Sequence, residues 1–365
     1  MSVEYAFATR DDEKELRRIL KDNPMPGDVE LTFSREPDYF LATEVEGENT
    51  RVLTAKDNGR VVCLGSMSVK DLFLNGSATS VGYLSGLRME KNYRGGMILA
   101  RGFSIFKKMH TENRVPFYLT TIAEDNKYAN RILGANRPGM AIYNKRGLYL
   151  TRAISIYGRK AEKNRFNIIR GNNENINSII ECINRNGSFR QFYPNILKDK
   201  LLAGGGAYRG LGVSDFYAAE EGGKIIGACA KWDQGSFKQN IITGYSGIMA
   251  VIKPLYNAAS ALLRYNPLPE KGGKLKSFYI SFMAADDDNP EILESLVRRV
   301  YNDSVGQGYH YFLAGLFQGD PLEKAFKAYV GVTYKTRLYL VCWEDGVEAV
   351  SRIDNRLPYL EAATL

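Results

Sequence analysis

The chain has little that could hold a metal or form a disulfide. Its four cysteines, Cys63, Cys182, Cys229 and Cys342, lie far apart without a Cys-x-x-Cys pair, and only His110 and His310 supply imidazole. That scarcity predicts no metal site and no disulfide framework. Cys63 in Val61-Val62-Cys63-Leu64 and Cys229 in Ile225-Ile226-Gly227-Ala228-Cys229 read as strand-core residues, and the spacing does not support a Cys/His nucleophile pair. No apolar run reaches membrane-spanning length, and Met1-Ser2-Val3-Glu4 lacks the basic and apolar regions of a secretion signal. A cytoplasmic protein without a membrane partner is expected. A concentrated block of charge is missing too: 49 Lys+Arg against 41 Asp+Glu gives +8, scattered along the chain. An anionic partner is favoured, but a nucleic acid is not expected.

What is present is an ordinary globular composition, 44% hydrophobic and 25% charged, in a chain of 365 residues. That length exceeds what one core usually serves and predicts two domains. The most informative stretch is 84–133. An apolar strand over 81–89 runs into Lys91-Asn92-Tyr93-Arg94-Gly95-Gly96, which is basic and turn-forming, and helical periodicity starts at Met97-Ile98-Leu99-Ala100. A helix entered this way leaves its first amides unpaired and points its positive dipole end at the turn, where two glycines admit close approach. The predicted guest is a phosphate or pyrophosphate. A second β-rich run follows at 117–123, and Asn126, Ala129, Arg131 and Leu133 then recur at helical spacing.

This order resembles the acetyl-coenzyme A site of the GNAT N-acetyltransferases. In that family an apolar strand leads into an Arg-x-x-Gly-x-Gly/Ala turn over the pyrophosphate, and an Asn-x-x-Ala helix follows the next strand beside the pantetheine arm. The matching positions here are Leu87, Arg88 and Met89 at the strand end, Tyr93, Arg94, Gly95, Gly96, Met97, Ile98 and Leu99 at the turn, and Asn126 with Ala129. Met97 and Leu99 stand where the family prefers small residues, and Leu133 replaces a frequent tyrosine. The resemblance implies acetyl-coenzyme A as cosubstrate, no metal, and direct attack of a small-molecule or peptide amine on the thioester in a ternary complex.

The first half reads in order as a short strand and an acid-led helix, a helical stretch near 39–43, a hairpin turning at Asp57-Asn58-Gly59, and a second turning at Asn75-Gly76. A closing strand covers 148–157, and the basic link 158–165 marks the boundary. The second half repeats the plan. Arg60-Val61-Val62 aligns with Lys224-Ile225-Ile226 at an offset of 224 − 60 = 164, and Phe117-Tyr118-Leu119 with Tyr311-Phe312-Leu313 at 311 − 117 = 194. Leu148-Tyr149-Leu150 aligns with Leu338-Tyr339-Leu340 at 338 − 148 = 190, so an insertion of some thirty residues is expected within 240–274. Where the first half has its basic turn, the second has Asp286-Asp287-Asp288-Asn289-Pro290, whose carboxylates would repel a pyrophosphate.

The expected fold class is therefore α/β of the α+β type. It comprises two tandem GNAT-like domains, each a mixed, mainly antiparallel central sheet flanked by helices. The first, 1–157, binds acyl-coenzyme A, the second, 165–346, lacks a cofactor site, and 347–365 forms a tail. Acyl transfer needs a neutral amine, a polarised carbonyl and a proton for the leaving thiolate. Glu124 and Asp125 are the candidate proton acceptors, with capping of the following helix as their alternative role, and Tyr128 and Tyr143 are the candidate acids. Two other classes remain open from sequence: a Fem-type aminoacyl-tRNA-dependent transferase and a non-catalytic acyl-coenzyme A-binding module. The acceptor and the oligomeric state are not readable.

Overall fold

The computed structural model describes residues 3–24, 29–94, 97–137, 139–161, 165–263 and 267–365. In chain order the first half contains β1 (Val3–Phe7), α1 (Glu13–Lys21), β2 (Val29–Ser34), α2 (Tyr39–Glu44), β3 (Glu48–Asp57), β4 (Arg60–Leu74), β5 (Ser77–Met89), α3 (Ile98–Asn113), β6 (Tyr118–Ala123), α4 (Lys127–Leu133) and β7 (Ile142–Ser155). The second half contains β8 (Asn167–Arg170), α5 (Ile176–Gly187), α6 (Lys198–Leu202), β9 (Phe216–Glu221), β10 (Lys224–Trp232), β11 (Gln239–Tyr245), α7 (Gly247–Leu263), β12 (Ser277–Ala285), α8 (Pro290–Ser304), β13 (Tyr311–Phe317), β14 (Gly331–Cys342) and α9 (Val347–Ser351).

Turn chemistry sets the two long hairpins. Asn58 (φ 49°) with Gly59 (φ 78°), and Asn75 (φ 52°) with Gly76 (φ 86°), both take the left-handed pair that matches strand twist. The β4–β5 hairpin is registered from Leu74↔Ser77 to Cys63↔Met89. Cys63 and Cys229 lie buried in β4 and β10, and burial pushes each thiol up to about 12.

Among the described residues, twelve strands form one sheet in the order β1-β3-β4-β5-β6-β14-β7-β13-β12-β10-β9-β8. It is mostly antiparallel, with parallel contacts at β5/β6 and β12/β13. The two halves interlock. β14, from the end of the chain, lies between β6 and β7, while β7 pairs on its far side with β13. The buried core divides accordingly: α3 covers Leu53, Met67 and Leu84 on one face, α1 covers Val52, Val61 and Leu64 on the other, and a large cluster joins α5 and α8 to the second half.

The segment 240–274, where an insertion was expected, forms most of β11 together with α7, and β11 pairs with β2 in a ribbon outside the main sheet. The terminal 347–365 is enclosed rather than trailing, with Tyr359, Leu360 and Ala363 buried. Among the described residues no helix is long and apolar enough to cross a membrane.

Candidate active site

One local departure from sheet regularity creates the site. Along β5, Gly82 and Tyr83 pair in parallel with Tyr118 and Leu119 of β6, and there the pairing stops. Gly82 lies flat against the Tyr118 ring, where an added Cβ would come within 2.1 Å of ring carbon. Three residues on, the β4–β5 register shifts: Ser66 opposes Ser85 and Leu64 opposes Arg88, so Gly86 and Leu87 together face Gly65. This is a bulge, and Gly86 supplies the positive φ of 67° that it uses. Bulging bends β5 away from β6, leaving backbone groups on the facing edges without ladder partners. A cavity of about 1010 Å³ fills the opening.

The bulge also sorts side chains between two faces. Leu87 turns toward Phe106 of α3, beside Gly65, so the wall on that side, with Leu84, Phe103 and Ile122, is apolar. Ser85 and Arg88 turn the other way, toward α2 and the loops on either side of it. There Glu46, only 2% exposed, accepts a hydrogen bond from the Ser85 hydroxyl at 2.6 Å and an ion pair from Arg35 at 2.5 Å. The Arg35 guanidinium also lies 4.4 Å from the Tyr39 ring centre. The second half closes this side with Gln234, Lys238, Asn240, Tyr279 and Tyr334.

The terminal segment reaches the cavity at Leu365 and is tied in beside it. Lys238 Nζ donates to the Ala363 carbonyl at 3.0 Å, and Lys70 Nζ donates to Thr364 O and Oγ1 at 2.8 Å while lying 3.9 Å over the Tyr83 ring. Burial lowers the Lys70 pKa to about 7 and that of Lys238 to about 8.

Of the residues predicted to bind cofactor, Leu87, Arg88, Met89, Arg94, Ile98, Leu99, Asn126 and Ala129 line this cavity. Gly95 and Gly96 lie outside the described residues. Tyr93 and Met97 sit near the mouth without lining it; Tyr93 donates its hydroxyl to Asp57 at 2.7 Å, and Met97 is 66% exposed. Arg94 is exposed and stacks 5.0 Å from the Tyr128 ring centre. Asn126 caps α4, its Oδ1 accepting from the Ala129 amide at 3.0 Å, a role that fits the leading position of an Asn-x-x-Ala helix.

The four predicted catalytic residues separate. Asp125 and Tyr143 line the cavity, Asp125 from an exposed lip and Tyr143 from the core. The Tyr143 ring meets Phe103 and Tyr339 edge-on, and burial raises its hydroxyl pKa, so it stays protonated. Glu124 instead pairs with Arg337 at 3.1 Å, and Tyr128 lies under Arg94. Sequence reading missed the opposite wall. Arg35, Glu46, Lys238 and Tyr279 are scattered over more than two hundred positions, and no local pattern marks them as neighbours.

The acidic turn of the second half is structurally occupied. Asp286 is held by Arg185 at 2.7 Å and Lys224 at 3.0 Å, and Asp288 by Arg190 at 2.5 Å, with Arg190 also bridging to fully buried Asp320.

Neither a family model nor the sequence of a curated protein matches the chain. Solved structures do. Saccharomyces cerevisiae N-myristoyltransferase with bound myristoyl-CoA superposes at a TM-score of 0.62 and 12% identity, over 93% of this chain and 79% of that one. The same enzyme with bound myristoyl-CoA and inhibitors gives 0.61 and 12%, over 98% and 86%. The chain shares the fold of N-myristoyltransferase. In this chain β5 parts from β6 after Tyr83 and Leu119, and Asn126 caps α4.

Proposed function

We propose that the chain is an acyl-coenzyme A-dependent N-acyltransferase, with acetyl-coenzyme A as donor and a small amine as acceptor. One observation carries this reading: a single cavity runs from a basic mouth at Lys91 and Arg94, along the unpaired edges of β5 and β6, to a polar chamber closed by the other half of the chain. The fold of N-myristoyltransferase, whose structures hold an acyl-CoA, supports the same reading.

In this scheme Arg94 and the start of α3 at Ile98 and Leu99, with Gly95 and Gly96, take the pyrophosphate. Leu87 and Met89 border the pantetheine arm on one side, and Asn126 and Ala129 border it on the other. The amine nitrogen attacks the thioester carbonyl, a C–N bond forms and the C–S bond breaks. Asp125, which has no ion pair among the described residues, accepts the amine proton directly or through water. Tyr143, kept protonated by burial, supplies the proton that the departing thiolate takes. The first half thus carries the cofactor, the second shapes the acceptor side, and the paired carboxylates at Asp286 and Asp288 leave no second cofactor mouth.

Titration calorimetry with coenzyme A and a thiol-release assay with acetyl-coenzyme A test the reading. The expected result is one coenzyme A per chain and amine-dependent thiol release. No measurable binding of coenzyme A or acetyl-coenzyme A would remove it.

A further inference from the structure

The cavity wall on the Ser85 side contains a charge without a counter-charge. Arg88 faces that chamber, and its hydrogen bond is to the carbonyl of its own neighbour Leu87 at 3.0 Å. Among the described residues no carboxylate forms an ion pair with it. Arginines that are more enclosed are treated differently: Arg35 has Glu46, Arg190 has Asp288 and Asp320, and Arg298 has Glu294. Two further polar groups stand beside Arg88 unsatisfied. Arg35 keeps Nη1 buried without a partner, and the Tyr39 hydroxyl, fully buried, has none either. Burial first, and then the like charge of Arg35, lowers the Arg88 pKa.

We infer that the amine accepted here bears an acidic group, a carboxylate such as that of a free amino acid, and that Arg88 binds it with help from Arg35 Nη1. This rests on the acyltransferase reading above. A carboxylate matches the planar fork of a guanidinium and can accept two parallel hydrogen bonds from it. It would also satisfy Arg35 Nη1, a donor that folding has taken from water, so its arrival relieves an existing penalty. The same positive wall, extended by Lys238, disfavours a protonated amine. It therefore favours the neutral nucleophile and rejects polyamines.

The experiment is an acceptor panel on the full chain with saturating acetyl-coenzyme A, read by thiol release. The panel comprises free amino acids, the corresponding amino acid amides, O-phosphoethanolamine and spermidine. Free acids should exceed their amides by about ten-fold or more in kcat/KM, the range for a hydrogen bond to a charged group. The phosphoethanolamine arm separates a carboxylate from a phosphate as the preferred anion. Arg88→Gln should raise KM for the acid acceptor by a similar factor, and Arg88→Lys should recover part of it. Coenzyme A binding together with equal use of amides or spermidine, with no turnover of any acid, or with an unchanged KM in Arg88→Gln, would overturn the inference and leave the acyl-coenzyme A site standing. Loss of coenzyme A binding in the wild-type chain would instead overturn the reading beneath it.

Discussion

Gly86 and Phe282 hold the same position in two strands of one sheet. Gly86 sits in the β4–β5 bulge between Ser85 and Arg88 with φ 67°, and Phe282 in the β10–β12 bulge between Ser281 and Ala284 with φ 52°. Their separation, 282 − 86 = 196, also relates Tyr83 to Tyr279, the last residue of each strand in parallel pairing. The openings that follow are used differently. The first is the cavity, whereas at the second the chain's own terminal segment has entered. Glu361 accepts from the Phe282 amide at 2.8 Å, the Tyr359 hydroxyl accepts from the Met283 amide at 3.3 Å, and Tyr149 donates to the Leu360 carbonyl at 2.8 Å. Donors that would otherwise be available to a ligand are thereby consumed.

The bulge makes Gly86 sensitive to a methyl group. Gly86→Ala places an L side chain in left-handed backbone, and its Cβ would approach Ser66 Oγ to 3.3 Å. Phe282 shows that the strand can still form, so the variant should fold but lose about 1–2 kcal/mol. Urea unfolding checks this, and an unchanged midpoint would mean that the bulge does not depend on glycine.

Arg94 has no carboxylate partner among the described residues and is poised on the Tyr128 face at the cavity mouth. Arg94→Ala should weaken coenzyme A binding by about 1.5–3 kcal/mol with little effect on stability. Calorimetry beside a thermal melt distinguishes this from a structural role, in which the melt would fall and the affinity would not.

Cutting the chain after Gly158 should abolish folding rather than release an independent cofactor-binding unit. The fragment would lose β14, which pairs with β6 from Thr336↔Ala123 to Val341↔Tyr118 and with β7 on its other side. Two long inner edges would then be exposed to self-association. Expression of 1–158 as a soluble monomer with a cooperative melt would refute this.

Lys70 predicts a pH effect. Its folded pKa is lowered to about 7, mainly by burial, with Glu46 and Glu361 opposing and the like charge of Lys238 adding to the fall. Between about 7 and the ordinary lysine value of 10.5 the unfolded chain therefore binds more protons than the folded one, and stability rises with pH across that window. At and below pH 7 the folded state carries the full cost of the enclosed ammonium. Lys70→Met should flatten the dependence, so the difference between wild type and variant must change from pH 7 to pH 9.5 in matched denaturant titrations. A constant difference would show that Lys70 does not titrate there.

The sequence by itself determined the local elements around the cavity. Strand, basic turn, helix, strand and capped helix at 81–133 are local, because turn residues, periodicity and an asparagine cap act over a few positions. The pairs Asn58-Gly59 and Asn75-Gly76 set two hairpins for the same reason. Only the tertiary structure decided the rest. The insertion of β14 between β6 and β7 is a choice among strand edges that look alike in sequence. The burial of 359–363 in the second opening required that opening to exist first. The cavity wall opposite α3 joins Arg35, Glu46, Arg88 and Lys238, which no short stretch of sequence brings together. Their chemistry comes from removal of water and from neighbours brought by other strands, and neither is encoded in any short run of residues.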